Sequence, residues 1–303
     1  MSSAMSWTGV LPALTTNLRP NGAVDHAAFA RHCRRMIDRG CSGLVCCGSL
    51  GEAATLSFEE KIAVATTAVR AVGRRAPVVL GIAALSTAEA VALARAGAKA
   101  GCRGLMVLPP YVYSTDWREM KAHVSAVIAA TPLSCMLYNN PPAYKTDFLP
   151  AQVAELAAAH PNLAAVKESS GDTRRVTALK AILGDRLTLL VGMDDGIVEG
   201  IRVGATGWIA GLVNAFPEES VALFNAAIAG DTARADAIYR WFLPLLRLDT
   251  VPKFVQLIKL VQAETGTGTA TVRAPRLELV GAERAAALAV LRTALRERPR
   301  LPR

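Results

Sequence analysis

A chain of 303 residues with 52% apolar and 19% charged side chains can bury a large core, and its composition excludes a disordered or fibrous protein. Its 34 Lys and Arg against 25 Asp and Glu give a formal charge of +9, yet the basic residues are spread along predicted helices without interleaved aromatics, so no nucleic-acid partner is expected. No stretch approaches the roughly 20 apolar residues of a membrane span, residues 1–10 carry no secretory pattern, and the six cysteines include no Cys-x-x-Cys pair, so a cytoplasmic protein with reduced thiols and no membrane partner is expected.

Residues 8–15 (TGVLPALT) read as a first short strand, with Asn21 and Gly22 turning the chain after it. Asp25 is placed to cap a helix that Gly40 stops. The compact apolar run 42–47 is a second strand, ending in Gly48-Ser49-Leu50-Gly51-Glu52. Ser57 with Glu60 three residues later forms a capping box for a helix to Val72. Residues 77–81 are a strand, 86–98 a helix opened by Ser86 with Glu89 as its box partner, and 103–108 a strand. A helix over 115–130, a strand over 134–138 and a helix over 149–160 follow. The run 163–168 (LAAVKE) is a strand that delivers Lys167 to its end. Residues 172–183 and 194–203 are helices around a strand at 187–191, and 207–209 is the last strand.

Eight short apolar strands alternating with helices at spacings near 30 residues are βα units, and runs apolar on both faces argue for a parallel sheet covered by helices. Eight such units predict an α/β fold, a closed (β/α)8 TIM barrel over residues 8–230. An open doubly wound sheet is the rival, disfavoured by the missing Gly-x-Gly-x-x-Gly after the first strand. Beyond Pro217 only helices are predicted, and residues 231–303 form an appended C-terminal helical region packed on the barrel. The glycine-bearing segment 265–271 (TGTGTAT) lacks the Gly-Lys-Ser/Thr of a phosphate loop and reads as an inter-helix turn.

In a barrel, chemistry collects at the C-terminal ends of the strands. Lys167 there, among small apolar neighbours, would be partly desolvated and more often neutral, the property of a Schiff-base lysine; pairing with Glu168 is the plainer alternative. The turn at Gly48, Ser49, Leu50 and Gly51 can aim successive N–H groups at a carboxylate, or be an ordinary loop. Tyr138 can act as a proton shuttle to Lys167, or be a buried tyrosine with one hydrogen bond. His26, His32, His123 and His160 fall in predicted helices without ligand spacing, so no metal is expected. Asp194 and Asp195, at a helix start, read as a cap. Cys46 and Cys47 have no histidine partner for nucleophilic work.

Three motifs in order, Gly48-Ser49-Leu50-Gly51-Glu52, Tyr138-Asn139-Asn140-Pro141 and Val166-Lys167-Glu168-Ser169-Ser170-Gly171, resemble those of the dihydrodipicolinate synthase / N-acetylneuraminate lyase family of class I aldolase-like enzymes. The resemblance runs from Thr8 to about Glu297. It implies a homotetramer built as a dimer of dimers, using neither metal nor organic cofactor, in which Lys167 forms an imine with a 2-oxo acid. It implies Tyr138 as general acid/base, Ser49 in the proton relay, and Tyr111 as the tyrosine lent to a neighbouring subunit. The amides of Ser49 and Leu50 would hold the substrate carboxylate, with Gly192, Ile209 and Asn214 completing the binding site. Dihydrodipicolinate synthases carry an arginine where this chain has Ala143, and a threonine where it has Leu50. Losing that carboxylate clamp argues against lysine biosynthesis. The form Cys47-Gly48-Ser49-Leu50-Gly51 looks instead like that of 1-pyrroline-4-hydroxy-2-carboxylate deaminases. Aldolases or dehydratases of 2-keto-3-deoxy sugar acids share most of these features, and a noncatalytic acid-binding barrel is the reading from another class.

Overall fold

The computed structural model describes residues 5–110 and 116–300. Eight strands form one parallel sheet: β1 (Gly9–Pro12), β2 (Leu44–Cys46), β3 (Val78–Ile82), β4 (Gly104–Val107), β5 (Ser134–Asn139), β6 (Leu163–Glu168), β7 (Thr188–Val191) and β8 (Gly207–Ala210). Their order around the sheet is β1-β8-β7-β6-β5-β4-β3-β2. The two ends meet where the Leu14 amide donates to the Val45 carbonyl at 2.8 Å and the Ser42 amide to the Val10 carbonyl at 2.9 Å, with a parallel bridge between Ala13 and Val45. The sheet is thus a (β/α)8 barrel, as the alternation predicts.

The strands are buried on both faces because helices cover the outside: α1 (His26–Asp38), α2 (Phe58–Val72), α3 (Thr87–Lys99), α4 (Trp117–Ala129), α6 (Pro150–Ala159), α7 (Arg174–Leu183), α8 (Ile197–Arg202) and α9 (Pro217–Ile228), while a four-residue α5 (Pro141–Tyr144) follows β5 at the strand ends. Three further helices follow: α10 (Thr232–Leu246), α11 (Phe254–Glu264) and α12 (Gly281–Arg296). All six cysteines are free and buried, and no helix among the described residues is long and apolar enough to cross a membrane.

Caps fix where helices start. Asp25 accepts from the Ala28 amide at 2.9 Å, and Ser57 and Glu60 exchange both bonds of a capping box. Two expectations need correcting. Ser86 accepts from the Glu89 amide at 3.2 Å, but the Glu89 carboxylate turns to Lys61 at 3.7 Å, so the box is only half formed. Asp194 does not cap its own turn; its carboxylate reaches across to β8, where the Trp208 indole donates at 3.0 Å and the Leu212 amide at 2.8 Å. A buried carboxylate takes the donors that enclose it, and a short 3-10 turn over Asp194–Gly196 precedes α8.

Candidate active site

A cavity of about 430 Å³ opens at the C-terminal ends of the strands. Ser49 and Leu50 after β2, Tyr138 on β5 and Ala143 after it, Lys167 on β6, Gly192 after β7 and Ile209 on β8 all line it. A broader open depression of about 570 Å³ lies outside the barrel, bordered by His26, Phe58 and Thr67, away from the strand ends. Tyr111 lies outside the described residues.

Register sets the centre of the site. Tyr138 pairs with Lys167 across β5 and β6, so both side chains project into the barrel, while their neighbours Asn139 and Glu168, paired in the next row, face outward. The outward pair is structural: Asn139 donates to Glu168 at 3.0 Å and to Asp147 at 3.2 Å, and its carbonyl oxygen accepts from the Phe148 amide at 3.0 Å. Asp147 is itself clamped by Arg175 at 2.6 and 2.7 Å. The polar residues of both motifs therefore fasten the loops that follow Tyr138 and Lys167.

Lys167 Nζ stands 3.9 Å from the centroid of the Tyr138 ring. Burial pulls its pKa down to about 8, although the negative charges of Asp249 and Asp194 favour the ammonium. Burial also raises the Tyr138 phenol to about 12, while hydrogen bonds from Asn140 and Ser49 draw it back. The Asn140 amide donates to the phenol oxygen at 2.8 Å. A cβ on Gly192 would lie 1.9 Å from Ser169 Oγ and 2.5 Å from Lys167 Cε, so only glycine lets β7 pass the lysine this closely.

The turn after β2 supplies the other half. Among the described residues neither the Ser49 nor the Leu50 amide has an acceptor, and both residues border the cavity, which leaves two N–H groups for a carboxylate. The turn is braced from the C-terminal helices: Glu52 pairs with Lys259 of α11 at 2.6 Å, both fully enclosed, and accepts from the Arg273 amide at 2.9 Å. The Leu50 side chain packs on Val255 and Ile258, making this wall apolar.

Asn214 is brought close but not into the cavity. Its amide nitrogen donates to the Ala13 and Gly211 carbonyls at 2.8 and 2.7 Å, and its oxygen accepts from His32 at 2.7 Å and the Thr15 amide at 3.3 Å. With every donor and acceptor engaged, it ties β1 to the end of β8 rather than offering a group to a ligand. Conversely, one titratable residue of the cavity carries no sequence signal. Asp249, in the connection from α10 to α11, lines the wall with Thr250, Val251, Pro252 and Phe254. Its carboxyl is pushed well above the usual range by burial and by the nearby Asp194 charge, against the pull of Lys167. It packs over Gly211, where a Cβ would come within 2.1 Å of its Oδ1. Tyr144, just past the motif tyrosine at the end of α5, also lines the cavity, and its phenol meets the Ser49 hydroxyl.

An amine that burial lowers to about 8, a phenol against it and two amides without acceptors on the cavity wall are groups that imine formation would use. Among the described residues no cluster of three or more His, Cys, Asp or Glu side chains could hold a metal ion.

The model of the dihydrodipicolinate synthetase family matches residues 6–294. The chain is 35% identical to a 4-hydroxy-tetrahydrodipicolinate synthase of Sorangium cellulosum, over 90% of this chain and 91% of that protein. It is 33% identical to one of Haloarcula marismortui, over 91% and 90%. Among solved structures, dihydrodipicolinate synthase from Aquifex aeolicus superposes with a TM-score of 0.90 at 27% identity, covering 94% of this chain and 97% of that one. YagE, a prophage protein of the dihydrodipicolinic acid synthase family from E. coli K12 solved in complex with pyruvate, has the same TM-score and identity over 95% and 99%. With motif, cavity and near full-length similarity in agreement, the chain belongs to the dihydrodipicolinate synthetase family and is a class I aldolase-type lyase.

Proposed function

We propose that this lyase forms an imine between Lys167 and the C2 carbon of a short 2-oxo acid or cyclic imine, and that its substrate is 1-pyrroline-4-hydroxy-2-carboxylate. The observation that carries the imine is the Lys167 amine, enclosed, lowered to about 8 and set against the Tyr138 ring. For the substrate, the support is that Ala143 and Asp249 line the same cavity as Ser49 and Leu50. Such a cavity suits a ligand with one carboxylate and with hydroxyl or amine groups at its far end, since a second carboxylate would face a carboxyl instead of a guanidinium.

In this reading Lys167 attacks the C2 imine carbon and the ring C2–N bond breaks, leaving a C5 amine and the lysine iminium. Tyr138 takes a proton from C3, the electron pair forms the C3–C4 double bond, and the C4 hydroxyl leaves as water after protonation. Proton shifts move the double bond to the C5 nitrogen. Two waters then hydrolyse the C5 imine to an aldehyde and ammonia and the C2 imine to a ketone, releasing Lys167. The net change is one water consumed and one ammonia released, giving 2-oxoglutarate semialdehyde. The iminium is the electron sink that makes C3 acidic.

A second reading, 4-hydroxy-tetrahydrodipicolinate synthase, is favoured by the names of relatives at 33–35% identity. The test is turnover by the wild type and Lys167→Ala of 1-pyrroline-4-hydroxy-2-carboxylate, 2-keto-3-deoxygluconate, and pyruvate with aspartate semialdehyde. Ammonia release from the pyrroline, lost in the variant, is the expected result. Condensation of pyruvate with the semialdehyde, without pyrroline turnover, would replace the first reading by the second.

A further inference from the structure

Asp194 and Asp249 both act on the charge of Lys167, and the fold treats them differently. Asp194 accepts from the Trp208 indole at 3.0 Å, the Gly211 amide at 3.1 Å and the Leu212 amide at 2.8 Å. Burial raises its pKa and those donors draw it back, to about 6. Asp249 has no such donors: among the described residues its carboxyl takes no hydrogen bond, and Arg247, two positions earlier, turns to Asp195 at 4.0 Å. It borders the cavity against Gly211, where an added Cβ would fall 2.1 Å from its Oδ1 and 2.9 Å from Ile258 Cδ1. Its charge also reaches Tyr138. A carboxyl set into a cavity wall without a protein partner is left for a ligand.

In the enamine that forms once C3 has lost its proton to Tyr138, the lysine nitrogen is neutral, so burial and the Asp194 charge both keep a proton on Asp249. The C4 hydroxyl of the pyrroline-derived chain is a poor leaving group and departs as water only with an added proton. We propose that Asp249 is the catalytic acid that protonates the departing C4 hydroxyl and then, as carboxylate, the base that removes a proton from C5. The proposal rests on the pyrroline reading above and adds to it a residue outside the three motifs. The nitrogen pair of the enamine re-forms the C2 iminium, the C2–C3 π pair moves to C3–C4, and the C4–O pair leaves on oxygen, which takes the Asp249 proton and departs as water. A conjugated iminium and the Asp249 carboxylate remain, one positive and one negative. The carboxylate then takes a C5 proton, the C5–H pair becomes the C4–C5 double bond, and the electrons shift back through C2–C3 to the lysine nitrogen, giving a neutral dienamine. Return of the Tyr138 proton to C3 leaves the C5 nitrogen on a C4–C5 double bond, the tautomer of the imine that water hydrolyses. Asp249 ends with one proton, as it began.

Asp249→Asn keeps the shape and removes the acid. Methyl exchange of pyruvate in deuterium oxide, read by NMR, reports a folded protein competent in imine and enamine chemistry. Ammonia release from 1-pyrroline-4-hydroxy-2-carboxylate reports the whole reaction. Fluoride release from the 4-fluoro analogue reports elimination of a group that departs without a proton. The expected result is ammonia release at least about a hundredfold slower, the scale of a lost general acid, with methyl exchange and fluoride release slowed by no more than about threefold. Equal losses with hydroxyl and fluoride leaving groups would overturn the proposal and make Asp249 a wall of the site, and so would ammonia release at the wild-type rate. A wild type that exchanges pyruvate protons but releases no ammonia from the pyrroline would overturn the pyrroline reading, and this role with it, while leaving imine chemistry in place.

Discussion

Replacing Lys167 by methionine is expected to make the fold more stable while ending imine formation. In the folded chain burial holds the amine at about 8 against an ordinary 10.5. The unfolded chain therefore binds this proton more tightly, and below about 8 both states carry it, so the full difference opposes folding. As pH rises from about 8 towards 10.5 the amine is lost first from the folded state, and the penalty fades. At about 1.4 kcal/mol per pH unit the penalty near neutrality is roughly 3 kcal/mol. The attraction of Asp249 and Asp194 for the ammonium is already contained in that lowered value, so removing the charge gives the net gain. Methionine also has an apolar stem of similar reach for the space beside Tyr138 and Gly192. Urea unfolding of both proteins at one concentration, near neutral pH and again near 10.5, measures it. A variant no more stable than the wild type near neutrality, or a gain that does not shrink on the alkaline side, would refute the argument.

Adduct formation with pyruvate should rise with pH and level off above about 8, because only the neutral amine attacks. Asp249→Asn should move that midpoint lower, since Asp249 favours the ammonium; an unmoved midpoint in trapping experiments would remove Asp249 from the lysine's surroundings. Gly192→Ala should fold, by circular dichroism, yet lose the borohydride adduct, because its Cβ falls 2.5 Å from Lys167 Cε; trapping at the wild-type level would contradict the close approach. Lys259→Ala leaves Glu52 enclosed without its cation and should cost roughly 3–5 kcal/mol in urea unfolding. A loss under about 1 kcal/mol would mean that the pair is solvated as an exposed one is.

Local chemistry explains what could be read from the chain. Each strand is a short apolar run buried on both faces, and Asp25, Ser57 and Glu60 act within one helical turn, so pattern and spacing carry them. Lys167 and Tyr138 were legible because each ends an apolar run, and one register step makes them neighbours. Asp249 was not, because it lies 55 residues beyond Asp194 in sequence and only the chain's return over the barrel mouth brings them together. The contact of Tyr144 with Ser49 depends on where a four-residue helix stops, a detail below the resolution of periodicity. Asn214 follows a strand end as a ligand-binding residue would, but its four hydrogen bonds turn inward, which spacing alone does not reveal.

The stretch between α10 and α11 contributes Asp249, Thr250, Val251, Pro252 and Phe254 to the cavity, although all eight strands are complete by Ala210. Lys167 and this part of the cavity wall thus belong to segments that can vary separately in sequence. A chimera joining this barrel to the C-terminal helices of a relative would keep Lys167, Tyr138 and Ser49 and receive a different far wall. Substrate choice in such a scaffold can be altered by recombination at one junction after β8, provided the incoming helices still present a cation to Glu52.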